Sequence, residues 1–173
     1  MIVFLLRHAD AVPGEPDEVR LLSPKGRRQS ARVGRQLGLE VWSLIRAIEH
    51  SPLLRSVETA QLVKSAAKVR QPLQVLAGLE PEADARVTAV QLARSRSARL
   101  LVGHNPHLAS LVGLLLGLRD GAEGIHFRKA ALVSLERMAG PTAASYEDLY
   151  LGDRCLNNGI IYWSNPFYAS LHQ

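Results

Sequence analysis

MIVFLLRHAD, residues 1–10, governs how the rest of the chain is read. Six apolar residues run together without alternation and stop at Arg7-His8. That is the pattern of a short strand buried on both faces, with polar groups at its C-terminal end. RLLVG (99–103) repeats the device and stops at His104. LIRAI (44–48) leads in the same style into His50-Ser51-Pro52, with Arg55 three residues beyond the proline. In an open α/β sheet, ligand sites gather outside the C-terminal ends of the strands. Two histidines and two arginines carried by three strand ends therefore converge on one crevice, and a phosphoryl group suits such a set.

Working outward, the chain alternates between strand-like and helix-like segments. The first strand covers 2–6, followed by a polar loop from Asp10 to Leu22 with Pro13, Gly14 and Pro16 as breakers. Ser23-Pro24 supplies an N-cap with proline at the first helical position and opens a helix to about Leu39. After the LIRAI strand, Ser51-Pro52 repeats that device and opens a second helix to about Lys68, on which Leu53, Val57, Ala60 and Lys64 share a face. PLQVL (72–76) is a third strand, Asp84 to about Arg94 a third helix, and RLLVG a fourth strand. Asn105-Pro106 caps a helix to about Leu118 that is apolar nearly all round and hence deeply buried. ALVSL (131–135) and GIIYW (159–163) read as two further strands, and the polar segment 140–158 between them as a long hairpin connection. Four strand-then-helix units predict an α/β protein, a three-layer α/β/α arrangement around a mostly parallel central sheet.

Composition narrows the setting. A chain of 173 residues, 47% hydrophobic and 21% charged, is read as one globular domain over 1–173. One cysteine, Cys155, makes no internal disulfide, so a reducing, cytoplasmic compartment is expected. The apolar start is too short for a signal h-region or a membrane span, so no membrane partner is expected. The net charge of +5 comes mostly from arginines dispersed along the chain, including Arg27, Arg28, Arg32, Arg35, Arg70, Arg94, Arg96 and Arg99. With aromatics at 5% and no basic run, a nucleic-acid partner is not indicated.

The chemistry follows from residue types. A phosphate dianion needs cationic donors in fixed geometry, and the planar arginine fork matches its oxygens. Arg55 lies near a helix start whose free N–H groups also favour an anion, and the N–H groups near His107 and Leu108 would serve likewise. A neutral imidazole attacks phosphorus directly and splits one hard displacement into two easier ones. A second histidine, protonated, would stabilise charge on the equatorial oxygens, while the arginines lower both histidine pKa values. Each assignment has a plainer rival: His8 as a structural histidine, Arg55 paired with Glu58 one helical turn on, or His104, His107 and Asp10 around a metal. Two adjacent arginines would repel a cation, so no metal and no cofactor is expected. His50 and His126 read as capping or surface residues, and Trp42 and Trp163 as packing. Asp10 either orients a pocket side chain or simply starts the loop.

These residues resemble the histidine phosphatase superfamily, also called phosphoglycerate mutase-like. LLRHAD matches its Arg-His motif after the first strand. SPLLRSVETA (Ser51, Arg55, Glu58, Thr59, Ala60) matches the second-arginine motif, and LVGHNP the second histidine. The resemblance is closest to the short SixA-type phosphohistidine phosphatases, whose Arg-x-Leu-Ser/Thr segment is mirrored by Arg20-Leu21-Leu22-Ser23. It extends over 1–136 and weakly to Tyr162-Trp163. It implies a phosphoglycerate mutase-like fold, a metal-independent phosphatase with His8 as nucleophile, and a phosphate pocket of Arg7, Arg55 and His104. Arg55 and His104 lie 49 residues apart. That leaves room for a strand, a helix and a strand, but not for the helical lid that mutases of the family insert. The expected substrate is a phosphorylated protein carrying phosphohistidine, or a small phosphomonoester. A general acid is sought in LAGLEPEAD, where Glu80 lies nearest the strand end and Glu82 and Asp84 follow. The SixA-type pattern puts its acid two positions earlier, where this chain has Gly78. The alternatives are a broad phosphomonoesterase, a phosphoglycerate-type mutase, or a catalytically silent phosphoprotein-binding module. A mere binder has no use for a nucleophile.

Overall fold

The first strand sits deep inside the molecule because nothing in it before Arg7 is polar. In the computed structural model, which describes residues 1–118, 125–137 and 160–163, Ile2–Arg7 forms β1, flanked on both sides by other strands. Chain order gives β2 Ile45–His50, β3 Leu73–Val75, β4 Ala98–Gly103, β5 Leu132–Arg137 and β6 Ile160–Trp163. The sheet order is β3-β2-β4-β1-β5-β6. β3, β2, β4 and β1 are parallel, β5 is antiparallel to β1, and β6 is parallel to β5. A hairpin between the last two strands would have made them antiparallel, so that expectation is corrected at its ends. The segment 140–158 itself, Cys155 and the Trp163 side chain lie outside the described residues.

Strand periodicity divides the core in two. Val3 and Leu5 face one way, with Leu101, and pack against Leu79 and the helices α4 (Ala85–Arg94) and α5 (His107–Leu116). Phe4 and Leu6 face the other way, with Leu100 and Val102. They meet Trp42 of α2 (Leu39–Leu44) and Ala60 and Val63 of α3 (Leu54–Ala67), with α1 (Pro24–Gln36) packed alongside. Helices on both faces of a mostly parallel sheet make the expected three-layer α/β/α arrangement. α5 buries eight of its ten residues, as its all-round apolar sequence requires.

The caps follow the sequence unevenly. Ser23 Oγ accepts from the Gly26 N–H at 3.0 Å, and Pro24 starts α1 as expected. Asp84 caps α4 through the Arg86 N–H. The other two proline devices do not act as caps. α3 starts only at Leu54, with Ser51 Oγ reached by the Leu53 N–H at 3.3 Å. α5 starts at His107 without a side-chain cap, while Asn105 Nδ2 donates to the Phe127 carbonyl at 3.4 Å. α1 stops at Gln36, a little short of the expected Leu39, and a second short helix, α2, which was not expected, then precedes β2. The face α3 buries is Arg55, Ser56, Thr59, Ala60 and Val63, one step round from the expected one. That rotation carries Arg55 inward, and with it the functional edge of the helix.

Candidate active site

Register builds the site. Arg7 pairs with Gly103 across β1 and β4, and His50 with Val102 across β2 and β4, so three strands end level with one another. The His8 N–H donates to the Gly103 carbonyl at 2.9 Å, which continues the ladder one step and sets His8 beside His104. Their ring centroids are 4.8 Å apart at 44°, although 96 residues separate them in the chain. Both are buried.

His8 Nδ1 lies 2.7 Å from the Ala9 carbonyl oxygen. A carbonyl only accepts, so Nδ1 carries the hydrogen and Nε2 keeps its lone pair in the neutral ring. Burial pushes the His8 pKa down to about 4, with Arg55, Arg7 and Lys129 adding to the lowering against the opposing Ala9 hydrogen bond. His104 is pushed down to about 2, chiefly by burial and then by His8 and Arg55. Both rings are therefore neutral at physiological pH. The arginines act as expected in sign, but burial is the larger cause. The expected protonated His104 is corrected: the Asp17 carboxylate pulls its pKa up, but too weakly to offset burial and the neighbouring cations. A bound dianion would raise both values by direct attraction.

Arg55 is buried in the first turn of α3. Its Nη1 donates to the Asp17 carbonyl and its Nη2 to Asp17 Oδ2, each at 2.8 Å. Asp17 belongs to a single 3-10 turn (Asp17–Val19) in the Asp10–Leu22 loop and is itself half-exposed. Arg20 holds the other carboxylate oxygen at 2.7 Å and is the leading cause of its lowered pKa. The rival Arg55–Glu58 pair does not form. Glu58 instead accepts from the Leu22 N–H at 2.6 Å and from Arg27 at 2.7 Å. Arg7 Nη1 donates to the Phe127 carbonyl at 2.7 Å, and its Nε is buried without a partner. Burial lowers the Arg7 pKa, and the site depresses it no further.

Several polar atoms in this region are orphaned: Arg7 Nε, His104 Nδ1, His107 Nδ1 and Asn105 Oδ1. Buried polar groups are almost always paired, so Arg7 Nε and His104 Nδ1, left without protein partners in the crevice, suit the oxygens of an anion, whereas Asn105 Oδ1 is an acceptor and does not. Thr59 Oγ1 supports the frame, accepting from the Ala9 N–H at 3.1 Å and donating to the Arg55 carbonyl at 2.6 Å.

Among the remaining candidates, Glu80 Oε2 accepts from the Gly78 N–H at 2.6 Å, so it is turned onto its own loop. Asp84 is the cap of α4, and Glu82 makes no described contact with the four residues of the crevice. His107 turns to Thr88 Oγ1 at 3.2 Å, and Asp10 is bound to Lys129 and Ser23, so the three do not meet around a metal. Among the described residues no group of three His, Cys, Asp or Glu is arranged to hold an ion. His50, expected to be a cap or a surface residue, is buried, its Nδ1 2.9 Å from the Ser51 carbonyl. Asp17, Ser56 and Lys129 went unnoticed in the sequence. Only Arg20, three residues past Asp17 in the loop segment matched above, hinted at the first of them. No helix among the described residues is long and apolar enough to cross a membrane.

Comparison with known proteins shows what this arrangement resembles. Residues 3–85 match the model of the histidine phosphatase superfamily (branch 1). The chain is similar to the structure of the protein histidine phosphatase SixA complexed with tungstate, at 26% identity and a TM-score of 0.68, over 78% of this chain and 86% of that one. A SixA structure from Agrobacterium tumefaciens shares the fold at 23% identity and a TM-score of 0.63, over 77% and 88%. A phosphoserine phosphatase from Entamoeba histolytica, in complex with 3-phosphoglyceric acid, does so at 14% identity and 0.58, over 77% and 89%. No curated protein sequence matches the chain. With the family model spanning β1 to the start of α4 and the shared fold extending well beyond it, the chain is similar to the histidine phosphatase superfamily, and the likeness supports an enzyme of the phosphatase class.

Proposed function

We propose that the protein is a phosphohydrolase that works through a phosphohistidine on His8, with phosphohistidine displayed on a protein as its substrate. The observation that carries the reading is the His8 tautomer: Nδ1–H is spent on the Ala9 carbonyl, leaving Nε2 as a nucleophile in a crevice with His104, Arg7 and Arg55. The Nε2 lone pair forms a P–N bond as the substrate's own P–N bond breaks, and the leaving imidazole departs with a proton. Water then attacks phosphorus, the bond to His8 breaks, and inorganic phosphate leaves. Arg7, Arg55 and His104 hold the phosphoryl oxygens through both steps, and neither step uses a metal.

Two features favour phosphohistidine over a phosphomonoester. An alkoxide leaving group needs a strong acid, and the acid candidate Glu80 is turned to the Gly78 N–H. A phosphorylated imidazole leaves readily once its nitrogen is protonated. The interval from Arg55 to His104 holds the rest of α3, then β3, α4 and β4, with no inserted lid to retain an intermediate for mutase transfer. The likeness to a protein histidine phosphatase points the same way. The test is a substrate panel. A phosphohistidine-bearing carrier protein should be hydrolysed in preference to para-nitrophenyl phosphate, and phosphoglycerates should not be interconverted. Preference for the phosphomonoester would make the protein a small-molecule phosphatase. Silence on all three would leave a binding module.

A further inference from the structure

Ser56 is fully buried one residue after Arg55. Serines inside helices ordinarily return their hydroxyl to the carbonyl one turn back. Ser30 does so with Gly26, and Thr59 with Arg55. Ser56 does not. Its Oγ lies 3.0 Å from His104 Nε2, its one side-chain hydrogen bond among the described residues. His104 Nδ1 is buried and has no protein partner.

We infer that Ser56 is a positioning residue whose hydroxyl, donating to His104 Nε2, holds His104 in the tautomer that offers Nδ1–H to a phosphoryl oxygen. The inference rests on the phosphatase reading of the site. A neutral imidazole has one N–H and one lone pair. Were Nε2 the protonated nitrogen, it would donate to Ser56 Oγ. The buried hydroxyl hydrogen would then have no acceptor, and the Nδ1 lone pair would face a phosphate oxygen. Both are costly, since buried unpaired polar groups and opposed lone pairs each forfeit a hydrogen bond. With Ser56 as donor, every polar atom of the pair is satisfied once the anion binds. His104 then donates to the phosphoryl group as a neutral imidazole, which suits a ring this deeply desolvated. The arrangement spans 48 residues of sequence, from helix α3 to the end of β4.

The test uses the full chain, labelled with 15N, and long-range 1H–15N correlation of the histidine rings. Wild-type His104 should show the Nδ1–H pattern, and inorganic phosphate should shift the Nδ1 resonance. In Ser56→Ala the tautomer should shift toward Nε2–H or become mixed. Turnover of the phosphohistidine protein should fall about tenfold in kcat, the scale of one well-placed hydrogen bond, with KM changed less than about twofold. Ser56→Thr, which keeps the hydroxyl, should restore both tautomer and kcat. An Nε2–H tautomer in the wild-type protein overturns the inference whether or not any variant folds. So does a Ser56→Ala protein with unchanged tautomer, even if its activity drops, since that is a packing effect. Absence of wild-type turnover with the Nδ1–H pattern and a phosphate-induced shift intact would sink the proposed reaction, yet leave the role of Ser56 standing.

Discussion

Arg55 reaches across 38 residues to take both the carbonyl and the carboxylate of Asp17, so its fork is occupied by an anionic group of the protein itself when no phosphate is bound. That contact has to yield, at least in part, for the guanidinium to serve a phosphoryl group. Asp17→Asn should therefore tighten inhibition by inorganic phosphate or vanadate, read as a lower inhibition constant; weaker inhibition would mean that Asp17 orders the site for the anion. Arg55→Ala should cost roughly 2–4 kcal/mol of transition-state stabilisation in kcat/KM, and Arg55→Lys should recover little because the fork is lost. A lysine variant within about twofold of wild type would reduce Arg55 to a point charge. At this scale His8, His104 and Arg55 were legible because each follows a strand-like apolar run closely. Asp17 was not, because a contact between a loop and a distant helix leaves no local pattern. The pairing of Arg55 with Glu58, suggested by helical spacing, lost to burial: α3 turns Arg55 inward, while Glu58 stays near the loop and holds the Leu22 N–H.

Among the elements, α1 and α3 lie so close that Gly34 has no room for a side chain. A Cβ there would meet the Val63 carbonyl oxygen and, at 3.0 Å, the Ala66 Cβ. Gly26 is as constrained, with the Asp10 carbonyl in its way. Gly34→Ala should therefore destabilise the protein by about 1–3 kcal/mol in urea unfolding, since overpacking forces backbone to move. A change within about 0.5 kcal/mol, as for an ordinary surface substitution, would show that the helices have slack. Because α3 carries Arg55, Ser56 and Thr59, the same variant should also lose activity. The strands were legible in their order and, within a few residues, in their extent, since two-sided burial leaves unbroken apolar runs. The helix starts were less so. Ser23 caps α1 because its oxygen meets the Gly26 N–H, whereas the chain after Ser51 and Asn105 stays extended or turned for a residue or two before the helix begins. The short α2, Leu39–Leu44, went unread in the gap between the predicted first helix, which ended at about Leu39, and the LIRAI strand.

For the whole molecule, two histidines held neutral at the centre tie stability to pH. Their folded-state values, about 4 for His8 and about 2 for His104, lie below the ordinary 6.5. The unfolded chain thus binds more protons than the folded one between pH 6.5 and 4, and stability falls as pH drops through that window. It is complete above about pH 6.5. For His8 alone the loss by the lower limit is on the order of 3 kcal/mol. Urea midpoints should fall between pH 7 and pH 4.5, and His8→Ala should flatten part of that slope. An unchanged slope in the variant would mean that His8 titrates normally. The central sheet and its two helical layers were legible as a whole because alternation of strand and helix restricts the topology. The last strand's direction was not, since an apolar run looks the same in either sense; β6 lies parallel to β5, not antiparallel as a hairpin would place it.

The covalent step on His8 is the claim on which the account turns. The direct measurement is a rapid alkaline quench of the enzyme with a substrate carrying labelled phosphate, followed by mapping of the labelled residue. The label should be acid-labile, base-stable and located on His8 Nε2, absent from His8→Ala, and formed equally well after exhaustive chelation of metals. Label on a serine or an aspartate, or full turnover by His8→Ala, would contradict it.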